Sequence, residues 1–444
     1  MKKPIIGTKI RDLFSSRWGF ILACVGSAVG MGNIWLFPYR VGQFGGAAFL
    51  IPYFVCVALL GFTGVMGEMA FGRSAQTGPI GAFRKAVESR GKNGKIGEAI
   101  ALIPTFGSLG IAIGYSVVVG WILRFLVGSI SGSAYDAPES GAYFGQIASA
   151  FGSVQWHLLG LAITFFIMIA GISAGIEKVN KIMIPAFFVL FLVLAIRAAF
   201  LPGAGAGYKY LFIPQWEYLF KIKTWVYALG QAFFSLSLAG SGTLVYGSYL
   251  SKQENVVVSA RNVAIFDTLA AMLAALVIIP SVFAFGFDPA AGPPLMFITM
   301  PEVFKSMPFG QLFMVIFFVA VLFAAFTSLV NLFETPIEAL QQKFGFSRTK
   351  AVLSIAAVAV IVGVCIEGIV GEWMDVVSIY IIPLGALLAA IMFYWIYGAK
   401  FAREQIQTGC TKPIGKWLDP LSRYIFCGIT IAVYLLGIFY GGIG

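Results

Sequence analysis

The residues with chemistry to offer are oxygen-bearing side chains set inside apolar runs. Asn33 lies in GSAVGMGNIW (26–35), Ser235 and Ser237 in QAFFSLSLAGSGTLVY (231–246), Asp267 in NVAIFDTLAAML (262–273), and Thr327 and Ser328 in FAAFTSLVNLFE (323–334). Amide, hydroxyl and carboxylate oxygens are hard ligands, suited to small hard cations rather than to transition metals. A carboxylate inside a membrane span is costly and usually functional, although helix neighbours can satisfy one. Covalent chemistry is poorly served. The only histidine is His157, and the five cysteines (Cys24, Cys56, Cys365, Cys410 and Cys427) are too scattered for a metal or disulfide framework.

Gly26, Gly30 and Gly32 break the first of these runs where lipid should surround the chain. A glycine inside a helix is unfavourable by roughly 1 kcal/mol against alanine. Two readings stand: a glycine packing seam with a kink, or an unwound segment. Unwinding frees carbonyls and N–H groups, which are tolerated only beside protein or a polar cavity. Freed carbonyls hold a cation, and the N-terminus of the following half-helix favours an anionic group. One break can therefore hold a cation and a carboxylate together. The run at 231–246 is interrupted in the same way by small and hydroxyl residues. Paired interrupted spans point to a transporter site between two repeats.

The elements that must position these groups follow from composition. Hydrophobic residues make up 59% of the chain and charged residues 11%, against about 45–50% and about 25% in soluble domains. Apolar stretches near the ~20 residues needed to cross a bilayer recur throughout. The expected fold is an all-α membrane protein with eleven transmembrane helices near 18–42, 46–72, 98–129, 155–174, 179–201, 223–250, 256–286, 309–341, 349–368, 374–398 and 421–442. They form a single transporter domain over 1–444. Repeat one covers about 18–201, an inverted repeat two about 223–398, and an extra helix about 421–442. The first and sixth spans are unwound at mid-membrane. Residues 73–97 are expected to form a short cytoplasmic helix, and the proline-rich 287–308 a folded hairpin that serves as a lid.

The formal net charge of +11 does not signal nucleic acid. With the N-terminus cytoplasmic, most Lys and Arg fall on the inner side: Lys2, Lys3, Lys9, Arg11 and Arg17, those within 73–95, Lys343, Arg348 and Lys350, and those within 400–423. This is the positive-inside bias. The apolar run after the basic N-terminus is too long for a signal peptide, so the first helix is expected to be retained. An odd span number then puts the C-terminus outside, in the inner (cell) membrane of a bacterium.

At these residues the chain resembles the neurotransmitter:sodium symporter family, of bacterial eleven-helix type with the leucine-transporter fold. The resemblance is carried by RWGFILACVGSAVGMGNIWLFPYRVGQFGGAAFLIPYF (17–54), QAFFSLSLAGSG (231–242) and FAAFTSLVNLFE (323–334), and it extends over nearly the whole chain. It implies sodium-coupled import of an amino acid by alternating access. Spans one, two, six and seven would rock against the rest. It implies two sodium ions, one held by the Ala28 carbonyl, Asn33, Ser235 and Asp267, the other by the Gly26, Val29 and Ala324 carbonyls with Thr327 and Ser328. The implied substrate pocket is Met31, Gly32, Ile111, Tyr115, Phe234, Ser235, Ser237, Gly240, Ser328 and Leu332, with the Tyr115 hydroxyl meeting the substrate carboxylate. Gly240 leaves room for a large apolar or aromatic side chain. Taken singly, several of these residues have plainer readings: Asn33 as glue between helices, Thr327 and Ser328 bonding back to their helix, Tyr115 as packing.

The departures from the family pattern are at the gates. Leu36 stands where an outer-gate arginine is usual, which leaves Asp375 to pair with Arg40, unless Arg40 snorkels at the interface. At the inner gate Arg11 and Tyr249 match, Phe14 replaces a tryptophan, and Gln342 replaces an aspartate. Asp267 stands where chloride-requiring relatives have asparagine, so no chloride requirement is expected. The protein would act as a monomer or homodimer, with lipid, sodium and a small molecule as partners. Competing readings are a carrier of another small zwitterion or amine, and a nutrient sensor on the same fold. A membrane-embedded enzyme is not expected.

Overall fold

The computed structural model describes residues 13–238, 241–290 and 295–442. Among the described residues every regular element is a helix. Seven helical runs are long and apolar enough to cross a membrane: Ala47–Ala75, Gly94–Ser131, Ile172–Ala199, Val256–Ala284, Gly310–Phe344, Arg348–Ile396 and Leu418–Tyr440. A pair bent by 53°, Arg17–Ala28 and Gly32–Gln43, makes a further span if taken as one. Two expected spans fall below that length. One is the 16-residue helix Val154–Ile169, followed by a reversal at Gly171 with φ 87°. The other is split into Ile222–Ser235 and Gly242–Ser248. The expected ninth and tenth spans are continuous in assignment over the 49 residues of Arg348–Ile396. A straight helix of that length would reach about 73 Å at 1.5 Å per residue, more than twice the ~30 Å apolar core of a bilayer. It divides at the 3₁₀ turn Glu367–Ile369.

Burial separates central from peripheral helices. In Gly94–Ser131 and Gly310–Phe344 most of the apolar window is buried (83% and 72%), whereas in Ile172–Ala199 only 28% is. The two central helices carry the expected site residues Ile111, Tyr115, Thr327 and Ser328. Side chains mark the ends. Asn93 accepts the Lys95 N–H at 3.0 Å and Asn255 accepts the Val258 N–H at 3.2 Å, the N-cap arrangement. Gly72 lets the second span touch the short helix Gly242–Ser248, since a Cβ there would lie 1.9 Å from the Leu244 carbonyl oxygen.

The expected short helix is Pro79–Glu88. Within the expected lid, residues 295–305 are also helical. Glu302 Oε1 accepts the Ser140 N–H at 2.8 Å, and Lys305 Nζ donates to Ala137 O at 2.7 Å. Phe297 is completely buried. Its ring sits 4.9 Å from that of Phe144, 5.2 Å from Phe125, 6.0 Å from Trp121 and 6.2 Å from Trp35. The segment is thus a plug packed into the helices.

His157 is also buried. Its Nε2 lies 2.9 Å from Ser116 Oγ and its Nδ1 3.2 Å from Glu367 Oε1. One ring therefore ties together three stretches of chain far apart in sequence. His157→Ala strands the Glu367 carboxyl in a site that excludes water. Leaving a buried polar group without its hydrogen-bond partner costs about 1–3 kcal/mol, which should appear as a lower melting temperature in detergent. An unchanged midpoint would show that the network contributes nothing.

Candidate functional site

The first span leaves helical geometry at Val29, with φ −71° and ψ 106°. Hydrogen-bond accounting shows what this releases. In a continuous helix the Gly30 N–H would close onto Gly26 O, and the Met31 N–H onto Ser27 O. Instead the Gly30 N–H donates to Asn33 Oδ1 at 3.0 Å and the Met31 N–H to the Tyr115 hydroxyl at 3.1 Å. Gly26 O is left without its helical donor. Ser27 O instead accepts from Ser237 Oγ at 2.7 Å and Ser328 Oγ at 3.0 Å. The sixth span breaks between Ser235 and Gly242, where Ser237 and Ser241 adopt left-handed φ of 52° and 59°. Two breaks and the eighth span thus meet on one carbonyl.

All described members of the expected substrate pocket border one cavity of about 50 Å³; Gly240 lies outside the described residues. The structure adds Ser27, Gly30 and Ile382 to its wall. The cavity has two ends of different chemistry. One has the broken backbone at 30–32 with the hydroxyls of Tyr115, Ser237 and Ser328. The other has Ile111, Phe234, Leu332 and Ile382. Phe234 closes over Gly32, where a Cβ would lie 3.1 Å from its ring.

Beside this cavity Asn33 meets Ser235 and Asp267, although each lies more than 200 residues away from it along the chain. Asn33 Nδ2 donates to Asp267 Oδ1 at 2.7 Å, and Ser235 Oγ donates to Asp267 Oδ2 at 2.8 Å. The Asp267 side chain is completely buried and has no ion-pair partner among the described residues. Ala28 lies on the adjoining cavity wall. A buried carboxylate held only by an amide and a hydroxyl is electrostatically incomplete, and a cation completes it.

The second group gathers between the first and eighth spans. Thr327 Oγ1 donates to Ala324 O at 3.0 Å and to Phe323 O at 3.1 Å, while Ser328 Oγ donates to Ser27 O. Each hydroxyl has its proton committed and its lone pairs free to face a cation. Gly26 adjoins Thr327, since a Cβ on Gly26 would lie 2.9 Å from Thr327 Cβ. No group of three or more His, Cys, Asp or Glu side chains placed to hold a metal ion occurs among the described residues.

The profile of the Sodium:neurotransmitter symporter family matches residues 11–136 and 143–440. The chain belongs to this family. The uncharacterised sodium-dependent transporter YhdH of Bacillus subtilis (strain 168) is 35% identical over 398 residues, spanning 85% of this chain and 86% of that protein. MJ1319 of Methanocaldococcus jannaschii, another uncharacterised sodium-dependent transporter, is 32% identical over 454 residues, 96% of this chain and 90% of that one. Among solved structures, MhsT in complex with L-phenylalanine superposes with a TM-score of 0.86 at 34% identity, covering 96% of this chain and 99% of that one. The chain is a sodium-dependent symporter and not an enzyme.

The residues expected at the gates make partly different contacts. Arg40 and Asp375 face one cavity of about 160 Å³, yet no salt bridge joins them. Arg40 instead donates to Gln43 Oε1 at 2.9 Å and lies over the Tyr227 ring, 4.2 Å from its centroid. Its place on the helix carries the guanidinium toward the aromatic sixth span rather than toward Asp375. At the other gate Arg11 lies outside the described residues, and Gln342 is exposed. The buried acid there is Glu334, which went unnoticed in the sequence. It accepts from the Tyr249 hydroxyl at 2.7 Å and from Arg348 through two nitrogens at 2.6 and 2.8 Å. Phe14 packs edge-on against Tyr246 and Tyr249.

Proposed function

We propose that the symporter carries a neutral amino acid with a large apolar or aromatic side chain, together with two sodium ions and without chloride, inward across a bacterial cell membrane. The observation that supports this reading best is the two-ended cavity. The N-terminal end of the half-helix after the break and the Tyr115 hydroxyl suit a carboxylate, and Ile111, Phe234, Leu332 and Ile382 suit an apolar side chain. The relative MhsT was solved with L-phenylalanine, a ligand of this kind. One sodium is assigned to Ala28, Asn33, Ser235 and Asp267, the other to Gly26, Val29, Ala324, Thr327 and Ser328. Sodium beside the carboxylate makes each ligand favour the occupied state. Each should then raise the affinity for the other by the same factor. Arg40 and Asp375 line the outer vestibule, and Tyr249 with Glu334 belongs to the inner gate.

The test is uptake into proteoliposomes driven by a sodium gradient, with phenylalanine, leucine, tryptophan and glycine as competing substrates. Equal competition by tryptophan and glycine would reject the size assignment, and uptake indifferent to sodium would reject the coupling. Tyr115→Phe removes one hydrogen bond to a charged group, worth about 1.5–3 kcal/mol. Substrate binding at saturating sodium should weaken roughly 10- to 150-fold, as read by equilibrium binding of labelled amino acid. Unaltered affinity would mean that Tyr115 serves only to hold the Met31 N–H.

A further inference from the structure

We propose that the side-chain oxygen of Asn180 is an additional ligand of the cation held between the first and eighth spans, and that through it this site responds to the position of the fifth span. The proposal rests on the sodium assignment made above and adds to it a residue from a third span.

Asn180 lies in Lys178–Ala199 and is completely buried. Its Nδ2 donates to Ile176 O at 2.9 Å. That bond fixes the amide orientation, because the flipped amide would set two acceptors against each other. Oδ1 therefore points away from its own helix, and it has no hydrogen-bond partner among the described residues. It faces Gly26, where a Cβ would lie 2.0 Å from Asn180 Oδ1 and 2.9 Å from Thr327 Cβ. The Gly26 carbonyl and the Thr327 hydroxyl are themselves assigned to this cation. The N–H that would ordinarily close onto Gly26 O is engaged with Asn33. Asn180 Oδ1 thus adjoins the two residues, Gly26 and Thr327, whose oxygens are assigned to the cation. A buried amide oxygen without a donor is unfavourable unless a cation reaches it.

The fifth span is anchored just below. The turn before it is the π-helical segment Ile172–Glu177. Glu177 accepts the Ser15 N–H at 2.6 Å, Ser15 Oγ at 2.7 Å and Ser16 Oγ at 2.9 Å. The base of the fifth span and the chain entering the first span are therefore latched together. A cation bridging Gly26, Thr327 and Asn180 holds the same two spans one step higher. Withdrawal of the fifth span removes an oxygen from the cation, which weakens its binding.

The experiment uses the purified full chain in detergent, titrated with sodium chloride against choline chloride at constant ionic strength, with melting temperature as the readout. Asn180→Ala should raise the half-stabilising sodium concentration about tenfold, a change of about 1.4 kcal/mol. The same substitution in a Thr327→Ala background should add less than twofold, since the site is already impaired, whereas in an Asn33→Ala background it should act in full. Asn180→Asp, which places a charge at the cation, should lower the half-stabilising concentration and carries the test if the alanine variant does not fold. A lower melting temperature without sodium, combined with an unchanged sodium dependence in both variants, would overturn the proposal and leave Asn180 a packing residue. A wild-type protein indifferent to sodium would refute instead the sodium assignment on which the proposal rests.

Discussion

Asp267→Asn should cut sodium-driven turnover by roughly 10²–10³ while leaving the protein folded. The carboxylate has Asn33 and Ser235 as its hydrogen-bond partners, and an amide of the same shape keeps part of that network. What it loses is a full negative charge beside the cation. Two unit charges 4 Å apart interact by about 4 kcal/mol at an effective dielectric constant near 20, and each 1.4 kcal/mol is tenfold in affinity. On the proposed reading the same charge takes the place of a soluble anion. Wild-type uptake should therefore be unchanged when gluconate replaces chloride at fixed sodium. A large and reversible loss in gluconate would show that the carboxylate does not stand in for chloride. A retained melting temperature in the variant would separate lost charge from lost fold.

Glu334→Gln should shift the protein toward its inward-open form. Glu334 is completely buried, and it joins Tyr249 after the broken sixth span to Arg348 at the start of the next helix. Glutamine keeps an acceptor for the tyrosine but gives up the two-pronged ion pair. Half of the 3–5 kcal/mol associated with breaking a buried pair, about 2 kcal/mol, would move the gate equilibrium by roughly 30-fold. Hydrogen exchange in residues 13–28 and 242–250 reads this directly. Faster exchange in both segments at saturating sodium is expected. Protection equal to wild type, with uptake intact, would mean that the ion pair is not part of the closed gate.

Much of the architecture was legible in the residues themselves. Long apolar runs announce membrane helices because an unpaired backbone is not tolerated in lipid. Glycine, serine and asparagine inside two such runs announced the breaks, and the structure interrupts the helix at Val29 and again after Ser235. Proline marked the segment that packs Phe297 among aromatic rings, although its folding into a plug depends on Trp121, Phe125 and Phe144. The Cys24, Cys56, Cys365, Cys410 and Cys427 thiols are all free, as their scatter implied.

Pairing is where the tertiary structure decided. For Arg40 the sequence left two readings, a pair with Asp375 or a place at the interface, and a ring of the sixth span takes its guanidinium. Gln342, the residue the sequence pattern puts at the inner gate, is an exposed amide. The buried acid, Glu334, lies eight residues earlier on the same helix, about 12 Å away along the axis. The reversal at Gly345, with φ 66°, carries Arg348 back over it. Ser27 and Asn180 have no sequence signal at all: one matters through a backbone carbonyl, the other through an amide oxygen facing a glycine some 150 residues away. Sequence determines helices and their breaks because backbone hydrogen bonding and apolar burial are local and periodic. It leaves ligands and partners open because a single hydrogen bond between distant helices depends on their axial shift and rotation, which only the packed structure sets.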